Sequence, residues 1–158
     1  MLQRVQTLFL FIAFAASVCL FFFPLAGIYS TTVAYKFYVY ELRNMVPDEE
    51  SAFSFMTVLP LFLLNILAGI LSLISIFLYQ NRVRQMKLVR LAIFLDVILI
   101  ALIFFIYGQI VERTLGVSPN YLDEIGVYFP LIMLVFLLLA NRFIIKDERL
   151  VRSADRLR

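Results

Sequence analysis

Four long apolar runs, near residues 5–28, 54–79, 88–110 and 127–145, alternate with short polar connections along the chain. Each run reaches the roughly 20 residues that a helix needs to cross about 30 Å of hydrocarbon at about 1.5 Å per residue. Stretches such as LFLLNILAGILSLISIFLY do not alternate, whereas a spanning strand would alternate over about 10 residues. The pattern predicts an all-α integral membrane protein, a single domain over 1–158 with four transmembrane helices in an antiparallel bundle. The short inner connection NRVRQMK joins the second and third helices as a tight pair. A cleaved secretory signal is disfavoured at the start: its apolar core covers about 7–15 residues, but this run continues through FFFPLAGIY.

The outer connections read differently. In TTVAYKFYVYE, Val33, Tyr35, Phe37 and Val39 alternate with Ala34, Lys36, Tyr38 and Tyr40. This pattern is a short β segment on the membrane surface, an interfacial aromatic belt, or both. NMVPDEES, with Pro47 and three acids, is a turn into the second helix, and SPN with Gly116 and Gly126 marks turns in the second outer loop. Pro24, Pro60 and Pro130 fall in the outer halves of helices 1, 2 and 4, where they are expected to kink the helices and splay that half of the bundle.

Composition agrees, with 63% hydrophobic residues and a mean hydropathy of +0.96. Charge orients the bundle, because 11 of the 14 Lys and Arg lie at every second boundary: Arg4; Arg82, Arg84, Lys87 and Arg90; Arg142, Lys146, Arg149, Arg152, Arg156 and Arg158. The other connections hold Lys36, Arg43 and Arg113 against seven acids. Lys and Arg resist translocation, so both termini and the 80–90 loop are expected in the cytoplasm. The single cysteine, Cys19, excludes an intramolecular disulfide or a CxxC pair, and the absence of His excludes imidazole catalysis and His-held metal or haem. No cofactor or metal is expected.

Asp96 is the sole acid within an apolar run. Counted from Arg90 it lies about 9 Å inside the membrane, level with Ser72 and Ser75 and away from Asn65. A salt bridge to Arg90, Arg4 or Arg142, or a hydrogen bond, is favoured over proton coupling. Asn65, Ala68, Ser72 and Ser75 share one face of helix 2 and read as a packing seam, with Ala13, Ala16 and Ser17 of helix 1 as the matching surface. Gln109 is the remaining buried polar candidate, at the outer interface. One acid, two amides and a few hydroxyls supply no acid–base pair and no activated nucleophile, so an intramembrane enzyme is disfavoured.

After Ala140 the fourth helix continues as a basic amphipathic tail over about 142–158, with Leu150, Ala154 and Leu157 on one side. Its cations and those of the 82–90 loop are candidates for docking a partner or for binding anionic lipid headgroups. Without interleaved aromatics, nucleic acid is not an expected partner.

Three segments, QRVQTLFL at 3–10, RQMKL at 84–88 and ANRFIIKDERLVRSADRLR at 140–158, resemble small bacterial four-helix inner-membrane proteins known as domain of unknown function family 4293. The resemblance implies four helices with both ends inside, and no site residue transfers with it. The leading expectation is a non-enzymatic inner-membrane accessory or scaffold subunit, part of a larger membrane complex. The alternative is a small transporter or lipid-binding protein that uses Asp96 and the polar face of helix 2.

Overall fold

The computed structural model describes residues 2–29, 34–45, 55–107, 109–110, 113 and 120–155, with 2–4, 55, 120–121, 123 and 152–155 described in their backbone alone. Four helices form the bundle: α1 (Leu2–Cys19), α2 (Phe55–Phe77), α3 (Arg82–Ala101), which runs on as a π-helical turn over Leu102–Tyr107, and α4 (Tyr128–Asp155). Met56–Phe77, Arg82–Tyr107 and Ile125–Val151 are each long and apolar enough to cross a membrane, and Val5–Cys19 is a shorter apolar helix. The outer surface of the bundle is apolar: Phe11, Phe77, Phe94, Phe105 and Val135 all point away from the core. A water-soluble monomer does not leave such a belt uncovered. The chain is a multi-pass membrane protein.

The first helix is shorter than its apolar run. The 18 residues of α1 rise about 27 Å, and the last helical bond runs from the Phe23 N–H to the Cys19 carbonyl at 3.2 Å. Pro24 offers no donor to extend it. The rest of the run becomes a turn and then strand β1 (Ala26–Tyr29), whose hydrophobicity serves the sheet and not the bilayer. Pro24 therefore ends α1 without kinking it. Pro130 is the third residue of α4, in the first turn where its missing N–H has no intrahelical partner to lose. Of the three prolines, Pro60 alone lies within a helix interior, so the expected splaying of three helices is replaced by two helix boundaries and one internal proline.

At this end the loops build a four-stranded antiparallel sheet in the order β3-β2-β1-β4, with β2 at Ala34–Phe37, β3 at Leu42–Asn44 and β4 at Asn120–Asp123. The expected β segment of the first loop is present and its alternation holds: Tyr35, Phe37 and Val39 are buried, while Lys36, Tyr38 and Tyr40 are half-buried. Val33, Pro47, the acids 48–50, Gly116, and Ser118 and Pro119 of the SPN turn lie outside the described residues. Register places Ile28 opposite Tyr35 and Phe37 opposite Leu42, all turned toward the bundle. The β2–β3 turn closes with the Tyr38 N–H on the Glu41 carbonyl at 2.8 Å, and Val39 at its tip is fully buried. Burial and then the Glu41 carboxylate push the Tyr40 phenol above its ordinary range, so it stays neutral.

The fourth strand comes from the second loop, which the sequence pattern did not show. β4 pairs along β1 from Ala26 opposite Asp123 to Tyr29 opposite Asn120. The Gly126 N–H then donates to the Pro24 carbonyl at 2.9 Å. A Cβ on Gly126 would lie 2.6 Å from the Pro24 carbonyl carbon and 2.7 Å from the Phe23 oxygen, so glycine is required by close backbone approach. The π-helical turn rotates Tyr107 inward, where its ring stacks on Phe37 at 5.7 Å and its hydroxyl donates to the Thr57 carbonyl.

Candidate functional site

Every helix presents one buried stripe, and the stripes share a sequence of layers. They run Gln6, Leu10, Ala13 and Ser17 on α1, continued by Leu20 just past its end; Leu61, Asn65, Ala68, Ser72 and Ser75 on α2; Gln85, Val89, Ala92, Asp96 and Leu99 on α3; and Met133, Leu137, Ala140, Ile144 and Asp147 on α4. At the end opposite the sheet all four stripes finish on a polar residue. Moving inward, an apolar cluster follows in which Ala13, Ala68, Ala92 and Ala140 let the helices approach closely. A second polar layer comes next, and beyond it the apolar cluster under the sheet, built on Leu20, Ile28, Phe37, Val39, Leu61 and Leu99.

The end layer is held by side-chain hydrogen bonds. Gln6 Nε2 donates to Asp147 Oδ2 at 2.6 Å, and Arg82 Nη1 donates to the Asp147 carbonyl at 3.1 Å. Gln85 Nε2 donates to the Ser75 carbonyl at 2.9 Å, and the Asn81 side chain caps α3 by accepting from the Arg84 N–H at 3.2 Å. These bonds tie the start of α1, the α2–α3 connection and the far part of α4 to one membrane surface. Gln6 and Asp147 were absent from the sequence-derived candidates. The signal was the phase of Asp147, seven residues beyond Ala140 in the buried stripe; the surrounding cations mark the tail as wholly superficial.

The inner polar layer contains Ser17, Asn65 and Asp96, all buried. Each lies 10 or 11 residues inward from the end-layer residue of its own helix, about 15–17 Å by helical rise. Asp96 is therefore level with Asn65. The shallower position expected from counting from Arg90 is overturned because α3 begins at Arg82. Ser17 and Asn65 form a reciprocal pair: the Ser17 hydroxyl donates to the Asn65 carbonyl and Asn65 Nδ2 donates to the Ser17 carbonyl, both at 3.1 Å. The Ser72 hydroxyl donates to the Leu10 carbonyl at 2.8 Å, whereas Ser75 bonds within its own helix to the Leu71 carbonyl at 2.7 Å. A Cβ on Gly69 would meet Ser17 Cβ at 3.1 Å. The α2 polar face is thus an α1–α2 seam, as the spacing implies.

Among the described residues Asp96 does not form the expected bridge. Neither carboxylate oxygen has a hydrogen-bond partner, and Asn65 Oδ1 likewise lacks a donor. Arg90 and Arg142 are exposed, and the Ser72 and Ser75 hydroxyls are directed to backbone carbonyls; the Arg4 side chain lies outside the described residues. Gln109 is also corrected, being exposed and not buried.

The second candidate region is the basic face of α4. Arg142, Lys146 and Arg149 are exposed, at spacings of four and three that place them on one side. With Leu138, Asn141, Ile145 and Leu150 they line a groove of about 660 Å³. Arg84, Lys87 and Arg90 are exposed on α3, and Arg82 is half-buried against Asp147. The Arg152 side chain, Arg156 and Arg158 lie outside the described residues. Among the described residues no group of three or more His, Cys, Asp or Glu could hold a metal ion. No curated protein matches the chain. The family whose model matches residues 2–157 is described as domain of unknown function (DUF4293), and the chain belongs to that family.

Proposed function

We propose that this protein is a non-enzymatic accessory or scaffold subunit of a bacterial inner-membrane complex. Both termini face the cytoplasm, as the positive-inside rule implies, and the α2–α3 connection together with the basic face of α4 forms the docking surface. The observation that carries this reading is a contrast in how polar groups are used. Ser17, Ser72 and Asn65 Nδ2 spend their hydrogen bonds between α1 and α2, while Arg84, Lys87, Arg142, Lys146 and Arg149 are exposed without a described ion pair. Purification of the full chain from its native membrane in mild detergent at low salt tests it. A stoichiometric partner that is lost in an R84E/K87E variant supports docking; recovery of the chain alone, or a partner indifferent to the reversal, contradicts it.

A second reading, a small transporter, is favoured by one observation: Asp96 Oδ1, Asp96 Oδ2 and Asn65 Oδ1 are buried acceptors without donors at one depth of the bundle. Such a group is costly to bury. Asp96→Leu separates the two. The scaffold reading expects equal or higher thermal stability and unchanged partner recovery, because an unpaired polar group is replaced by an apolar one of similar volume. The transporter reading expects retained folding with loss of a proton- or ion-coupled flux across reconstituted vesicles.

A further inference from the structure

We infer that the α4 groove is a binding site for one anionic glycerophospholipid of the adjacent leaflet. This deepens the scaffold reading, in which the same basic face of α4 belongs to the docking surface, and it is tested apart from that reading because the site needs no protein partner. From Leu138 to Arg149 the helix rises about 16 Å, so the groove passes from the hydrocarbon zone into the headgroup zone. Leu138, Ile145 and Leu150 are its apolar lining, interleaved with the cations Arg142, Lys146 and Arg149. The depth is fixed by the helix's other side, where Asp147 bonds to Gln6 and to Arg82 at the start of α3.

Chemistry narrows the occupant. Residues three and four apart on a helix have Cβ atoms about 5–6 Å from one another, so three long cationic side chains converge on a single phosphate. Arginine presents a planar fork suited to phosphate oxygens, and lysine adds a point charge. None of the three forms an ion pair with a described residue, although acids occur nearby in sequence: Asp147 turns to Gln6 in the interior, and Glu148 does not line the groove. The apolar wall distinguishes this site from one for free phosphate, because it serves only a ligand with acyl chains.

The test uses the full chain in mild detergent, delipidated and then offered phosphatidylglycerol, phosphatidylcholine or inorganic phosphate, with bound species counted by native mass spectrometry. One phosphatidylglycerol is retained in preference to phosphatidylcholine, and inorganic phosphate does not displace it at equal concentration. At about 1 kcal/mol per basic residue near an anionic lipid, each cation contributes about fivefold in retention. R142Q/K146Q/R149Q lowers it on the order of a hundredfold, and R84Q/K87Q leaves it unchanged. Helicity measured by circular dichroism verifies that each variant is folded; should the triple variant unfold, Lys146→Gln replaces it with a fivefold loss expected. Equal retention of the two lipids overturns the proposal, as does undiminished retention by folded R142Q/K146Q/R149Q or an equal loss in R84Q/K87Q.

Discussion

The two ends of this bundle are closed by different bonds. The sheet end is joined by backbone pairing between segments far apart in sequence, β1 with β4, and by aromatic packing of Tyr107 on Phe37. The opposite end is joined by side chains, Gln6 to Asp147, Arg82 to the Asp147 carbonyl and Gln85 to the Ser75 carbonyl. Backbone pairing consumes the polar groups of a loop and leaves them unavailable to a partner. Side-chain closure instead holds the ends of α1, α3 and α4 together while leaving the cations beside them free. Under the proposed scaffold function, the sheet serves rigidity and the basic end serves recognition.

Substitutions that strike one end and spare the other break this comparison most sharply. The largest effect is expected from Gly126→Ala, whose Cβ meets the Phe23–Pro24 backbone at 2.6 and 2.7 Å. Overpacking against backbone that cannot yield costs about 3 kcal/mol, and hydrogen exchange should rise across β1 and β4 while the Gln6–Asp147 end remains protected. Asp147→Ala reverses the pattern: it strands the Gln6 amide and should cost about 2 kcal/mol, with faster exchange at the start of α1 and unchanged exchange in the sheet. Asn65→Ala lies between the ends. It removes the donor to the Ser17 carbonyl and should cost about 1 kcal/mol, the scale of hydrogen bonds between membrane helices, read as a fall in thermal midpoint without regional bias. Ser75→Ala should be close to neutral, because its hydroxyl bonds only to the carbonyl of its own helix; a loss as large as that of Asn65→Ala would show that Ser75 belongs to the interhelical seam.

The sequence made the local features of this fold legible and concealed the long-range ones. Apolar runs exposed α2, α3 and α4, and period-two alternation exposed Tyr35, Phe37 and Val39 as the inner face of a strand. Hydropathy could not divide the first run at Cys19, because residues that cross a membrane and residues that lie under a sheet are equally apolar. β4 was hidden for another reason: its pairing with β1 joins two loops, and no local pattern records a partner nearly a hundred residues away. In the candidate site the α2 seam followed from spacing, since small polar residues three and four apart must share a face. The depth of Asp96 did not, because it depended on where α3 starts. Asp147 was obscured by the neighbouring cations, although its phase with Ala140 and Ile144 places it inside.

The proposed function requires recognition to reside at the basic end. Photocrosslinking in intact cells tests it most directly, with a photoreactive residue placed in turn at Arg84 and Lys87 in the first turns of α3, at Lys36 and Arg43 on the sheet, and at the outward Phe94 as a lipid-facing reference. The account predicts one discrete protein adduct from Arg84 and Lys87, absent from Lys36, Arg43 and Phe94. A discrete adduct from the sheet positions with none from Arg84 or Lys87 would contradict it.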